Sequence, residues 1–127
     1  MTPSIESITA TALTLALDAA SLRHEALASN IAHANTPGYR PLAVNFESQL
    51  EEARLTLSSN GRLDAAALAD VVPLLQPLQQ RSTLSGQVTL DVEALQLAQN
   101  GVQFQALLKG LNRHYQILSA ATSDGKK

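Results

Sequence analysis

The sequence predicts a mainly α-helical protein, in which two long terminal helices pair as an antiparallel, coiled-coil-like hairpin around a short, partly irregular middle segment. Three observations lead to this fold class. Apolar residues make up 45% of the 127 residues, and most of them are Leu or Ala, which favour helices. No glycine or proline interrupts the chain from Ile5 to Ile31. A regular apolar repeat occupies the C-terminal part, from Leu90 to Leu118.

The composition also limits the function. Lys and Arg total 9 against 11 Asp and Glu, a net charge of −2 that argues against binding to nucleic acid. Aromatic residues are only 3%, too few for the usual small-molecule pocket, so we expect no small-molecule substrate and no cofactor. Charged residues are 16%, compared with roughly 25% in typical soluble domains, which indicates surfaces that meet partner proteins.

The N-terminal helix is predicted to start after Pro3 and Ser4 and to be apolar on two sides. A narrow polar strip, Thr11, Thr14, Asp18, Ser21 and Glu25, separates the sides. One apolar stripe comprises Ile5, Ile8, Ala12, Leu15, Ala19, Leu22 and Ala26, and the other comprises Ala10, Leu13, Leu17, Ala20, Leu27 and Ile31.

The C-terminal helix is predicted to begin near Asp91 and Glu93, whose negative charges suit a helix N-terminus, and to run to about Ser119. Its apolar residues alternate in steps of four and three, which is coiled-coil spacing. The stripe comprises Leu90, Ala94, Leu97, Gly101, Phe104, Leu108, Leu111, Tyr115 and Leu118. Gly101 either weakens this helix or permits close approach of a neighbour.

Two helices alone cannot cover apolar stripes on both sides of each. The middle segment is too poor in aromatic residues to wrap them, so we expect other subunits to cover them. The residues predicted to pack in this way are Leu15, Leu22, Leu97, Phe104, Leu108, Leu111 and Leu118.

The middle segment has weaker signals. A short extended piece through Leu42 and Val44 and a helix over 46–57 are predicted, then a turn at Asn60-Gly61 and a helical turn or two over 64–70. Pro73, Pro77 and the polar run 79–83 predict irregular chain. We therefore divide the chain into an N-terminal core helix (1–35), a junction with the middle segment (36–87) and a C-terminal core helix (88–127).

The first helix must end between Ala28 and Arg40. Pro37 disfavours helical geometry at Thr36, and Pro37-Gly38 suits the centre of a type II turn. Asn35 tolerates a left-handed helix cap. No nucleophile or carboxylate cluster lies nearby, so the spacing indicates a helix stop and no catalytic residue.

This junction resembles the N-terminal signature of the rod and hook family of bacterial flagellar axial proteins, a Leu/Ala-rich helix ending in S-N-I-A-N-x-x-T-P-G-Y. Here the run is Ser29-Asn-Ile-Ala-His-Ala-Asn-Thr-Pro-Gly-Tyr39, with His33 where the family often has Asn. By this resemblance, the residues that orient the following segment are Asn30, Asn35, Thr36, Pro37, Gly38 and Tyr39.

The C-terminal part resembles one short rod member of that family, which ends in V-x-L-D-x-E-M…N…Y-Q-A-L-L…L-N-R. The matching residues are Val88, Leu90, Asp91, Glu93, Asn100, Gln105-Ala-Leu-Leu108 and Leu111-Asn-Arg113. The sequence departs at Ala94, at Phe104 and in the turn Ser85-Gly86-Gln87.

The resemblance implies a structural subunit of the proximal rod, the periplasmic drive shaft of the flagellar basal body, with no enzymatic activity. Its implied partners are further copies of itself, other proximal rod proteins, the ring-to-rod junction protein and the flagellar type III export gate. Export through that gate without a cleaved signal peptide agrees with the absence of Lys and Arg from Met1–Glu6 and with the absence of cysteine.

Three alternatives remain at this point. A metal site is disfavoured because His24 and His33 lack ligand spacing and His114 has no adjacent carboxylate. A small helical adaptor or export chaperone accounts for the stripes but leaves the turn signature unexplained. The third is a different proximal rod component, because the N-terminal signature is shared across the family.

Overall fold

The protein is mainly α-helical, as predicted. The computed structural model describes residues 5–60, 65–78 and 89–125. In chain order the elements are α1 (Ile5–Ala32), β1 (Leu42–Asn45), α2 (Glu47–Asn60), α3 (Ala65–Ala69), β2 (Leu74–Pro77) and α4 (Leu90–Asp124). Across these residues, none of the helices has the length and hydropathy required to cross a membrane.

The helices α1 and α4 pack against each other in antiparallel orientation. The start of α4 lies at the end of α1, where Asn30 bonds to Glu93. Further along, Asn100 bonds to the Ala20 carbonyl, and Gly110 lies beside Leu13. The predicted hairpin is therefore confirmed. With 35 residues against the 28 of α1, α4 runs past the expected end at Ser119.

The apolar stripe of α1 that contains Leu15 and Ala19 is covered by the middle segment of the same chain. Phe46, directly after β1, is 7% exposed and forms a buried cluster with Ala19 of α1, Ala53 of α2 and Val71. Leu15 packs against this cluster. The expectation that only other subunits cover this side was wrong, because a single buried phenylalanine, packed with small neighbours, is enough to bury Ala19.

The two short strands form an antiparallel pair that runs from Leu42 opposite Pro77 to Asn45 opposite Leu74. Irregular chain was predicted around Pro73 and Pro77, so the strand β2 is a correction. Proline fits here because the N–H of Leu78 bonds to the Pro41 carbonyl at 2.8 Å, which turns residue 77 away from β1. A proline at an outward position removes no ladder hydrogen bond.

Two further predictions for the middle segment are confirmed, and three fall wholly or partly outside the described residues. The helix α2 and the short helix α3 confirm the two predicted helical segments. The turn at Asn60-Gly61, the polar run 79–83 and the turn at 85–87 lie outside the described residues in whole or in part.

On the surface of α2, an exposed bidentate pair joins Arg54 to Glu51 at 2.6 and 2.8 Å, and this hydrogen bonding lowers the pKa of the Glu51 carboxyl.

Candidate functional site: the junction after α1 and the exposed faces of α4

The chain reverses after α1 through the predicted type II turn. The N–H of Tyr39 donates to the Thr36 carbonyl at 3.3 Å, and Gly38, the third residue of the turn, has φ +78°. This value is the one that a type II turn requires at that position. The left-handed cap predicted at Asn35 was wrong, because no described residue other than glycine has a positive φ. Short-range bonds end the helix instead, including one from the Thr36 N–H to the His33 carbonyl at 2.9 Å.

Asn30 is the centre of the junction. Its side chain is 1% exposed, and both ends of its amide are satisfied. The oxygen Oδ1 accepts from the Leu42 N–H at 2.8 Å and from the Tyr39 hydroxyl at 3.0 Å. The nitrogen Nδ2 donates to the Leu42 carbonyl at 3.0 Å and to Glu93 Oε2 at 3.2 Å. One side chain therefore ties together the end of α1, the turn, the start of β1 and the first turn of α4.

The two bonds to Leu42 have a specific geometric meaning. Leu42 stands opposite Pro77, a pair whose backbone groups point away from each other, since the neighbouring Pro41–Leu78 pair carries the ladder bond. The Asn30 amide thus occupies the outer edge of β1 as a neighbouring strand would. This partly buried backbone edge is satisfied without a third strand.

Tyr39 is held from two sides. Because its hydroxyl donates to Asn30, the Ser29 hydroxyl 2.9 Å away is the donor in their contact. The His33 ring stacks on the Tyr39 ring with centroids 4.6 Å apart and planes inclined by 10°. Its Nδ1 lies 2.9 Å from the Ser29 carbonyl, so this nitrogen carries the proton. The departure from the family signature at His33 therefore adds a ring that packs the tyrosine.

The predicted junction residues fall into two groups. Asn30 is buried and Tyr39 is half-buried, and they touch each other. Asn35, Thr36, Pro37 and Gly38 are exposed and shape the turn. Sequence reasoning missed the hydrogen bond between Glu93 and Asn30, because Glu93 was interpreted as a charge suited to a helix N-terminus and as a match to the C-terminal motif. Glu93 and Asn30 are 63 residues apart in the sequence, so no local pattern indicates this contact.

The face of α4 that meets α1 differs from the predicted stripe. Both include Leu97, Phe104, Leu111 and Leu118, which are half-buried. After each of Leu97, Phe104 and Leu111, the next residue that faces α1 lies three positions later in the sequence. The prediction placed it four positions later. The inward residues are thus Asn100, Leu107 and His114, and the predicted Leu108 is 42% exposed. The prediction ranked apolar above polar residues and so passed over Asn100, whose amide bonds to α1.

The remainder of α4 presents two apolar flanks, one on each side of the α1 contact. At about 100° per residue, these flanks are separated on the far side by a polar strip that includes Gln105, Lys109 and Gln116. The first flank comprises the exposed residues Val92, Leu95, Val102 and Ile117. The second flank comprises the exposed residues Leu90, Leu108 and Tyr115.

The two packing residues predicted on α1 do not belong to the exposed flanks of α4. Leu15 and Leu22 are half-buried, and Leu15 packs against the cluster around Phe46 in its own chain. Gly101 has nothing within 4 Å of the position a Cβ would take, so no described part of the chain approaches it closely. The part that these residues take in subunit packing stays a prediction.

The junction is also where the chain matches known proteins. Residues 12–40, which span most of α1 and the turn up to Arg40, match the family model described as flagella basal body rod protein. The paired terminal helices and this junction therefore define a flagellar rod subunit, a structural component of the basal body.

Curated relatives narrow the class. The flagellar basal body rod protein FlgB of Escherichia coli (strain K12) is 34% identical over 110 residues, which cover 76% of this chain and 80% of the relative. FlgB of Bacillus subtilis (strain 168) is 28% identical over 118 residues, covering 87% and 90%. FlgB of Borreliella burgdorferi is 29% identical over 113 residues, covering 78% and 83%. The chain belongs to the FlgB family of flagellar basal body rod proteins, which confirms the resemblance and disfavours the adaptor alternative.

Proposed function

We propose that the chain is a structural, non-enzymatic subunit of the proximal rod, polymerising through α1 and α4 into the periplasmic drive shaft. The observation that carries this proposal is the pair of exposed flanks on α4. Apolar rows on both sides of one helix, with α1 already between them, suit a helix with a neighbouring subunit on each side. Two different surfaces that meet repeatedly around a screw axis build an open helical assembly.

The division of the chain follows from this role. Residues 1–35 and 88–127 form the polymerising core, and 36–87 form the part that the junction orients. The junction residues Asn30, Asn35, Thr36, Pro37, Gly38 and Tyr39 set the direction in which the middle segment leaves α1. Among the seven predicted packing residues, Leu108 lies on an exposed flank and is the one that this proposal assigns to a neighbouring subunit. The inward side chains of α4 and Leu15 of α1 support it indirectly, by holding the helices of the single chain together. Torque passes through such packed contacts, which need no bound cofactor.

The partners follow from the position in the rod. They are further copies of this chain, other proximal rod proteins, the ring-to-rod junction protein and the flagellar type III export gate. Membership of the FlgB family supports the first two groups most directly. The low charge of the chain and the exposed apolar flanks agree with contacts to proteins.

Quantitative mass spectrometry of extensively washed basal bodies tests the proposal. We expect this chain at a few fixed copies per particle, in constant ratio to the ring proteins. An export chaperone would be lost during washing. Absence of the chain from intact particles that retain the other rod proteins would contradict the proposal.

A further inference from the structure

Among the described residues, two buried polar side chains lie where α1 meets α4, and one of the two is fully hydrogen-bonded. Asn30 has a partner for each end of its amide. Asn100 is 3% exposed and donates from Nδ2 to the Ala20 carbonyl at 2.8 Å. Within residues 5–60, 65–78 and 89–125, its Oδ1 has no hydrogen-bond partner. The free-energy penalty of an unpaired buried oxygen exceeds the net contribution of one hydrogen bond. Asn100 therefore does not stabilise the helix pair on balance.

The apolar pattern of the two helices leaves their axial register open. On α4, Leu97, Phe104, Leu111 and Leu118 repeat every heptad on the inward face. On α1, Leu13, Ala20 and Leu27 repeat at the same interval. Sliding one helix past the other by one heptad therefore sets apolar residues against apolar residues again, and burial alone distinguishes the registers weakly.

Asn100 distinguishes the registers in the middle of the helix pair, in addition to the Asn30–Glu93 bond at its end. It lies opposite Ala20, whose side chain ends at Cβ and leaves the main-chain carbonyl accessible to the amide. One heptad away in either direction, Asn100 would lie opposite Leu13 or Leu27, whose larger side chains shield the backbone. The amide would then be buried with no partner at all, a larger penalty than in the native register.

We infer that Asn100 sets the axial register of α4 on α1, acting as a positioning residue for the terminal hairpin. A single buried asparagine fixes register in coiled coils at a cost in stability, which agrees with the half-satisfied amide of Asn100. Register matters because it decides the height at which the two flanks of α4 stand relative to the junction. The inference concerns the hairpin itself and does not depend on which partner covers those flanks.

Crosslinking of the purified full-length chain tests the inference. The chain contains no cysteine, so only introduced thiols react with a short bifunctional thiol reagent. Leu13→Cys with Gly110→Cys reports the native register, because the Cβ position of Gly110 lies 3.9 Å from Leu13 Cδ2. Leu13→Cys with Gln103→Cys or with Ile117→Cys reports a slip of one heptad in either direction.

Asn100→Leu is the test variant, and Asn112→Leu, at an exposed asparagine of the same helix, is the matched control. We expect Asn100→Leu to raise the slipped crosslinks roughly five- to tenfold, since one buried hydrogen bond shifts an equilibrium by about that factor. Its melting temperature should equal or exceed that of the parent, and Asn112→Leu should give the native crosslink alone.

Exclusive native crosslinking in Asn100→Leu would overturn the inference, as would the same slipped crosslinks in Asn112→Leu. If Asn100→Leu does not fold, Asn100→Ala removes the amide without adding bulk, and the same crosslinks decide. Because the readout is the register in the purified chain, its result is independent of whether the chain enters the rod.

Discussion

At the scale of single residues, the junction depends on two positions that act by different means. Asn30 acts through its side chain, which replaces a neighbouring strand at Leu42 and reaches Tyr39 and Glu93. Gly38 acts through its backbone, because φ +78° is open to glycine and strained for other residues. The first role is lost with the amide, and the second is lost when a Cβ is added.

Replacing Asn30 by alanine should destabilise the folded chain by about 1–3 kcal/mol, since it leaves partly buried backbone groups of Leu42 without partners. Urea denaturation of the purified chain measures this loss. Asn35→Ala, at an exposed residue directly before the turn, should change stability by less than about 0.5 kcal/mol. Equal losses in the two variants would contradict the central role of Asn30.

Alanine at two glycines should have opposite effects. Gly38→Ala should destabilise by about 1–2 kcal/mol through left-handed backbone strain alone, because no described residue apart from its chain neighbours lies within 4 Å of the added Cβ. Gly101→Ala has equally open surroundings but lies inside α4, so it should stabilise by about 1 kcal/mol. Thermal unfolding compares the two variants, and the same sign for both would refute this explanation.

At the scale of elements, α1 lies between α4 and the middle segment, and each neighbour covers one apolar side. The α4 side is held along its length by the inward leucines and by the bonds of Asn30 and Asn100. The middle segment is held mainly by Phe46 in the cluster with Ala19, Ala53 and Val71. Asn30 takes part in both attachments through Leu42 and Glu93. The Phe46 cluster belongs to the middle segment alone, so removing Phe46 should separate the two attachments.

Phe46→Ala should cost about 3–5 kcal/mol, the usual loss for a buried phenylalanine. Amide hydrogen exchange should then quicken in β1 and α2 more than along α4. Leu55→Ala on α2, where the side chain is 56% exposed, serves as the control and should leave exchange unchanged. Uniformly faster exchange throughout the chain would show that the attachments are not separable.

At the scale of the whole molecule, the surfaces left uncovered are those expected of a subunit that completes itself in an assembly. Because the middle segment covers one side of α1, the exposed large apolar residues of the two terminal helices lie on the flanks of α4. An aspartate on a flank should therefore disturb assembly while leaving the chain folded.

Leu108→Asp should abolish swimming while export of the chain continues, since Leu108 is 42% exposed and contributes little to the fold of the single chain. Gln116→Asp places the same charge on the polar strip of α4 and should leave swimming intact. Swimming assays together with circular dichroism of the purified variants measure both effects. Normal swimming of Leu108→Asp would remove the second flank from the assembly surface.

The amino-acid sequence by itself determined the helices, the turn at Pro37-Gly38 and the family, because these depend on residues close together in the chain. Local propensity and steric limits act over a few residues, so a pattern reveals them. Only the tertiary structure decided that Asn100 and Leu107 face α1, that Leu74–Pro77 is a strand and that Asn30 meets Glu93. These features depend on contacts between residues distant in sequence, where the partner determines which face is buried and which polar group is satisfied.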